Sequence, residues 1–365
     1  MKPALPRWAD LALIPAVNLL LALLVAGLVV VFIGENPLRA VQLLISGSLG
    51  SSYGIGFTLF YATTFVFTGL SVAVAYHAGL FNIGSEGQAQ LGCLGVTLAC
   101  LALDQTHWLI VLPVAILAGG AFGAGWAFIP GYLQARRGSH IVITTIMFNF
   151  IASALIVYLL VNTLKVPGSM SPESRTFEAG GHLPFAHEML AAIGIKVSRT
   201  PLNLSALIAL AALGLTWALI WRSRLGYEMR ALGHSEPAAV YAGIDPARTT
   251  IIAMMLSGAF AGLMGLNVVM GYQHRFVLDA VGGAGFVGIA VALMGRNHPA
   301  GILLAAILFG ILYQGGSELA FEMPNISRDM IVVIQALVIL FTGALENLTR
   351  APIERLFARA RGRTA

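Results

Sequence analysis

Phe81-Asn-Ile-Gly-Ser-Glu-Gly-Gln88 is a polar, glycine-spaced break between two apolar runs, Ile55 to Ala75 and Ala89 to Leu103. The runs follow so closely that no hydrated loop of ordinary length fits between them. Asn82, Glu86 and Gln88 are therefore expected at or just inside a bilayer, where a carboxylate costs roughly 2.5–3.5 kcal/mol on insertion scales. Something else in the chain has to offset that cost.

Composition fixes the class. Hydrophobic residues make up 58% of the 365 residues, charged residues 10%, and the mean hydropathy is +0.85. Soluble domains carry roughly 25% charged residues. The chain thus reads as an all-α polytopic membrane protein. Continuous apolar runs of about 20 residues exclude a β-barrel, which alternates over about ten. About ten spans are expected, near 11–33, 55–76, 86–103, 109–133, 141–161, 203–221, 248–270, 282–295, 299–316 and 329–348. The net charge of +5 marks topology rather than nucleic acid, because no basic run with interleaved aromatics occurs. With Lys2, Arg7, Arg136, Arg137 and the Arg350–Arg363 cluster inside, both termini are cytoplasmic and the span number is even. Cys93 and Cys100, seven residues apart on one helix, are too distant for a disulfide.

Two connecting segments stand out. Residues 162–201 form an external loop rich in proline. Residues 222–247 form a cytoplasmic loop in which Ser235 caps a short helix, Pro237 lies in its first turn and Gly243 ends it. A short exposed helix of this kind suits docking into a groove on a partner. Small residues four apart, Gly119 and Gly123, Ala121 and Gly125, Gly258 and Gly262, Ala261 and Gly265, favour close helix packing in lipid.

Polar stripes mark several spans. Tyr61, Thr64, Thr68 and Ser71 share one helical face, as do Thr145, Asn149 and Ser153. Asn267 and Gln314 stand in the seventh and ninth spans. A second glycine-rich polar break, Phe276-Val-Leu-Asp-Ala-Val-Gly-Gly-Ala-Gly-Phe286, precedes the eighth span. Spans two to five and seven to ten then form an inverted repeat, an arrangement whose interrupted segments point to a substrate path. Glu86 has two readings: a ligand for substrate hydroxyls, or a carboxylate at the N-terminus of the third span, stabilised by the helix dipole. No P-loop and no His-Glu-x-x-His occur, so neither ATP hydrolysis nor zinc proteolysis is encoded.

Ala78-Gly-Leu-Phe-Asn-Ile-Gly-Ser-Glu-Gly-Gln-Ala-Gln-Leu-Gly92 resembles the signature of permease subunits of ABC importers, in the simple-sugar and nucleoside permease family. Ile143-Thr-Thr-Ile-Met-Phe-Asn-Phe-Ile-Ala152, Arg230-Ala-Leu-Gly-His-Ser-Glu-Pro-Ala-Ala-Val-Tyr-Ala-Gly-Ile244 and Gly285-Phe-Val-Gly-Ile-Ala-Val-Ala-Leu-Met-Gly-Arg-Asn-His-Pro299 are similar to further family motifs, in order. Ser139-His140 departs from the Asn-Glu pair common in relatives. The Asn-Ile-Gly-x-Glu-Gly-Gln form is the more typical of the nucleoside branch. The resemblance implies a single transmembrane permease domain over residues 1–365 in a bacterial inner membrane. It implies import of nucleosides or related nucleobase compounds, with monosaccharide import or an ATP-independent carrier as alternatives. It implies no enzyme activity or cofactor in this chain, with ATP used by cytoplasmic ATPase partners. A second, non-identical permease, an external binding protein or lipoprotein, and membrane lipid complete the expected partners. Asn82, Glu86, Gln88, Thr145, Asn149, Asn267 and Gln314 are the expected path residues. Arg230, Gly233, Glu236, Ala239, Tyr241 and Gly243 are the expected coupling residues.

Overall fold

The computed structural model describes residues 13–326, 328–341 and 352. Residues 11, 12 and 342–348 of the expected first and last spans, and the basic ends at Lys2, Arg7 and Arg350 to Arg363, lie outside them. The described residues are helical, with isolated bridges and no β-strand among them. In order the helices are α1 (Ile14–Phe32), α2 (Pro37–Leu49), α3 (Ser52–His77), α4 (Ser85–Leu103), α5 (Trp108–Arg137), α6 (Ile141–Leu159), α7 (Ala186–Ala192), α8 (Ser205–Arg222), α9 (Arg224–His234), α10 (Glu236–Tyr241), α11 (Pro246–Gly265), α12 (Ala284–Met294), α13 (Pro299–Glu322) and α14 (Arg328–Ile339). π-helical turns extend α6 over Leu160–Leu164 and α11 over Leu266–Gln273.

Each of the ten apolar stretches holds a helix, yet among the described residues six helices are long and apolar enough to cross a membrane: α3, α5, α6, α8, α11 and α13. A seventh arises if Leu20–Phe32 and Pro37–Leu49, bent by 118°, count as one broken span. The coarse expectation, an all-α membrane protein, holds. The individual spans differ for physical reasons. The start of α4 is too polar, and α12, with 11 residues, rises only about 16 Å. Between α1 and α2 the chain turns because Asn36 caps a new helix, accepting from Leu38 N at 2.9 Å, with Pro37 at its first position.

The chain divides into two compact units, residues 1–51 with 311–365, and residues 52–310. In the first, Ala26, Val30, Ala40, Leu319, Ile331 and Ile334 form an apolar core. There Asn325 donates to Glu35 at 2.8 Å.

The second unit is built on α3. Every residue from Ala62 to Ala75 is buried, so this helix is enclosed on all sides. Against it pack α4, α11 and α12. Backbones approach closely where α4, α5 and α11 cross: a methyl group on Gly262 would overlap the Gly119 carbonyl, and one on Gly123 would overlap that of Gly258. In lipid such packing, rather than a hydrophobic drive, holds helices together. Gly125 has open space beside it, so the Ala121–Gly125 pair plays no such part.

The loops of this unit gather at two ends. At one, His77 Nε2 lies 3.0 Å from Asn297 O, and Gly79 meets Gly233 of the 222–247 loop. At the other, Asp104 terminates α4 and receives the 162–201 loop: Arg175 donates Nη1 to Oδ2 at 2.6 Å and Nη2 to Oδ1 at 3.2 Å, and Glu178 N adds a third bond at 3.0 Å. Arg175 Nη2 also donates to Leu101 O at 2.9 Å, placing a cation on the negative end of α4. The Arg175 guanidinium holds the buried Asp104 carboxyl below the usual carboxylate range.

Candidate functional site: the junction of two broken spans

The break at 78–84 exists because Gly79 takes a positive φ of 76°, ending α3 after His77. The chain then turns back and α4 begins at Ser85. Its start is buried, so its first N–H groups need protein partners. Asn82 supplies one, its Oδ1 accepting from Gly84 N at 2.8 Å. Asn149 on α6 supplies another: Oδ1 accepts from Gly87 N at 2.9 Å while Nδ2 donates to Ile83 O at 2.9 Å. Asn82 and Gln88 pair amide to amide at 2.9 and 3.2 Å. Asn82 Nδ2 also donates to Ser257 Oγ at 2.8 Å, and Ser257 donates to Ser71 O at 2.7 Å. Ser71 and Ser85 share a hydrogen bond of 2.9 Å.

Glu86 does something the sequence reading did not foresee. It lies in the first turn of α4, but its carboxylate reaches the N-terminus of α12. Oε1 accepts from Gly283 N at 3.0 Å and Oε2 from Gly285 N at 2.8 Å. Gly283, with φ 78°, is the residue that begins α12, and a methyl on Gly285 would overlap the Glu86 backbone. The two polar breaks, 81–88 and 276–286, therefore meet in space. The carboxylate stands in the first turn of α4, but its hydrogen bonds go to the start of the neighbouring helix, whose dipole also stabilises it.

The expected path residues separate into three places. Asn82, Glu86, Gln88 and Asn149 form the junction. Thr145 stands beside it, next to Gly84, and donates to Val142 O of its own helix at 3.1 Å. Asn267 belongs to a second polar centre. Its Nδ2 donates to Phe60 O and Thr64 Oγ1, at 3.0 and 2.8 Å, and its Oδ1 accepts from Asn203 and Ser205, at 3.1 and 2.9 Å. Thr64, Thr68 and Ser71 lie along one stripe of α3, between the Asn267 centre and the junction. Gln314 is in the other unit, where it donates to Glu318 at 3.1 Å. Asn203 was missed. The signal was present: an Asn two residues before Ser205, at the head of an apolar run, where its Oδ1 accepts from Ser205 N at 3.0 Å.

In the 222–247 loop Ser235 caps α10, as expected, by accepting from Ala238 N at 3.4 Å, and Gly243, one of the expected coupling residues, follows its end at φ 80°. Tyr241 is 96% exposed and Glu236 is exposed, whereas Ala239 is buried within the chain. Gly233 packs against the backbone of His77, Ala78 and Gly79, so it joins the loop to the C-terminal end of α3. Arg230 and Gly233 line an open cavity of about 540 Å³ with His77 and Phe81.

Residues 54–343 match the family described as branched-chain amino acid transport system, permease component. The chain belongs to this permease family. A guanosine ABC transporter permease of Bacillus subtilis is 34% identical over 91% of this chain and 93% of its own length. A nucleoside ABC transporter permease of Lactococcus lactis is 33% identical over 90% of both chains. A glucose ABC transporter permease of Haloferax volcanii is 33% identical over 98% of this chain and 93% of its own. No solved structure matches the chain significantly. The permease is a multi-pass membrane protein, a transport component rather than an enzyme, and its motif at 78–92 is the segment that builds the junction.

Proposed function

We propose that this permease imports nucleosides or related nucleobase compounds as the membrane subunit of an ATP-binding-cassette importer. The observation that carries this is the similarity, along nine-tenths of both chains, to permeases named for guanosine and for nucleosides. The glucose permease, nearly as similar, favours a second reading, monosaccharide import by the same architecture.

In this reading ten segments cross a bacterial inner membrane with both termini in the cytoplasm. Spans two to five and seven to ten form an inverted repeat whose two broken members meet at Glu86. Helix α12 crosses part of the membrane and the irregular segment 277–283 completes the crossing. Irregular backbone at that depth is tolerated only inside protein or beside a water-filled path. The junction braces this path. A binding protein or lipoprotein docks on the 162–201 loop, and a second, non-identical permease completes the channel. Cytoplasmic ATPases use the ATP; this chain holds no cofactor. Tyr241, Glu236 and Arg230 present the 222–247 segment to them, and Gly233 passes its movement to α3.

Deletion of the gene tests the proposal in cells. Uptake of labelled guanosine should fall in the deletion strain and return with the intact gene. Unchanged nucleoside uptake with lost glucose uptake would overturn it in favour of the sugar reading.

A further inference from the structure

Beside the junction lies a notch of about 150 Å³ that none of the expected path residues lines. Gln90, Ser153 and Asp279 supply its polar groups, and Ile156, Val157 and Val281 its apolar ones. Ser153 Oγ donates to Gln90 Oε1 at 3.1 Å, joining α4 to α6. Asp279 belongs to the irregular segment 274–283 between α11, with its π-helical turns, and α12.

Depth gives the notch its meaning. Gln90 is one turn beyond Glu86 on α4 and fourteen residues, about 21 Å, short of Asp104 at the outer end. Segment 274–283 starts at that outer end, where Phe177 N donates to His274 O and Phe276 N to Ser174 Oγ, and it finishes at Glu86. Asp279 is therefore a carboxylate well inside the membrane. Unlike Glu86 it is exposed on the surface of its unit, as is Ser153. A carboxylate facing lipid is costly, and such groups mark water-filled substrate paths. The volume is below the roughly 300–1,000 Å³ of a pocket that holds a whole small molecule. The notch fits one part of a ligand and leaves the rest to another wall of the path.

We propose that the Gln90–Ser153–Asp279 notch takes the ribose of the transported nucleoside, with the Asp279 carboxylate accepting from its vicinal hydroxyls. The Gln90 amide and Ser153 hydroxyl fix the ring, and the apolar side chains flank the base. The assignment rests on the nucleoside reading above.

The test uses the assembled transporter in proteoliposomes, with saturating binding protein, and compares initial uptake of guanosine and 2′-deoxyguanosine. The wild type is expected to favour guanosine tenfold or more. Asp279→Asn should bring the ratio to within twofold of one. Ser153→Ala, a small change on an exposed face of α6, should lower it about threefold. A wild-type ratio near one, or a ratio unchanged in both variants, overturns the inference while leaving nucleoside import intact. Equal loss of both substrates, with weakened assembly on size exclusion, overturns it in favour of a contact with the second permease. Absence of any wild-type guanosine uptake removes the nucleoside reading and this inference together.

Discussion

Replacing Glu86 with glutamine isolates the contact on which the junction depends. The carboxylate offers two acceptor oxygens, and each takes one N–H from the start of α12, Gly283 at 3.0 Å and Gly285 at 2.8 Å. Glutamine offers one acceptor and turns an NH2 group toward the other N–H. One charge-assisted bond, worth about 1.5–3 kcal/mol, is lost, and a buried donor is left unpaired at a further cost of about 1–3 kcal/mol. Partial relaxation reduces the sum, so Glu86→Gln is expected to destabilise the chain by roughly 2–4 kcal/mol. Glu86→Ala, which loses both bonds, should lose roughly 3–6 kcal/mol. Equilibrium unfolding of the purified permease in mixed micelles measures both. A loss under about 0.5 kcal/mol, the scale of a neutral surface change, would refute the brace. Wild-type stability with abolished uptake would instead make Glu86 a substrate ligand.

Gly262→Val should prevent a monodisperse folded protein, because the added atoms would overlap the backbones of Gly119 and Gly92; Gly125→Val, facing open space, should behave as wild type on size exclusion. Tyr241→Ala, at a side chain exposed on α10, should leave thermal stability unchanged while the assembled complex hydrolyses ATP without uptake; normal coupling would remove the docking role. His274, stacked on His182 with ring centroids 3.7 Å apart, is pushed down to about 4 by burial and by His182. An unfolded histidine titrates near 6.5, so the unfolded state binds the extra proton between these values. The stabilisation from neutral His274 is full above about 6.5 and is lost as pH falls toward 4. Hydrogen-exchange protection factors, which divide out the intrinsic pH dependence of amide exchange, should therefore fall in residues 174–187 between pH 7.5 and 5, and His274→Asn should flatten that dependence.

The fold class was legible because apolar runs of bilayer length leave few alternatives. The close approach of α5 and α11 was legible in Gly119-x-x-x-Gly123 and Gly258-x-x-x-Gly262, where spacing alone puts the small residues on one face. The destination of the Glu86 carboxylate was not. Local spacing places it at the N-terminus of α4, and only the tertiary packing of segment 283–285 shows that it serves α12. Asn267 could be marked as costly to bury, but its partners come from two distant stretches, Thr64 on α3 and Asn203 with Ser205 at the start of α8. The Asp104–Arg175 pair was hidden for the same reason: seventy-one residues separate its members. The first unit's α2 was signalled by Asn36-Pro37, a cap followed by a first-turn proline, within a segment otherwise too short to suggest a helix.

The account stands most directly on ATP-driven transport by the purified components. Permease, partner permease, ATPases and binding protein are placed in liposomes, and labelled guanosine and glucose are offered separately. Guanosine accumulation that requires both ATP and the binding protein, with no accumulation of glucose, is the predicted result. Glucose accumulation in place of guanosine, or guanosine accumulation by this chain alone without an ATPase, would contradict it.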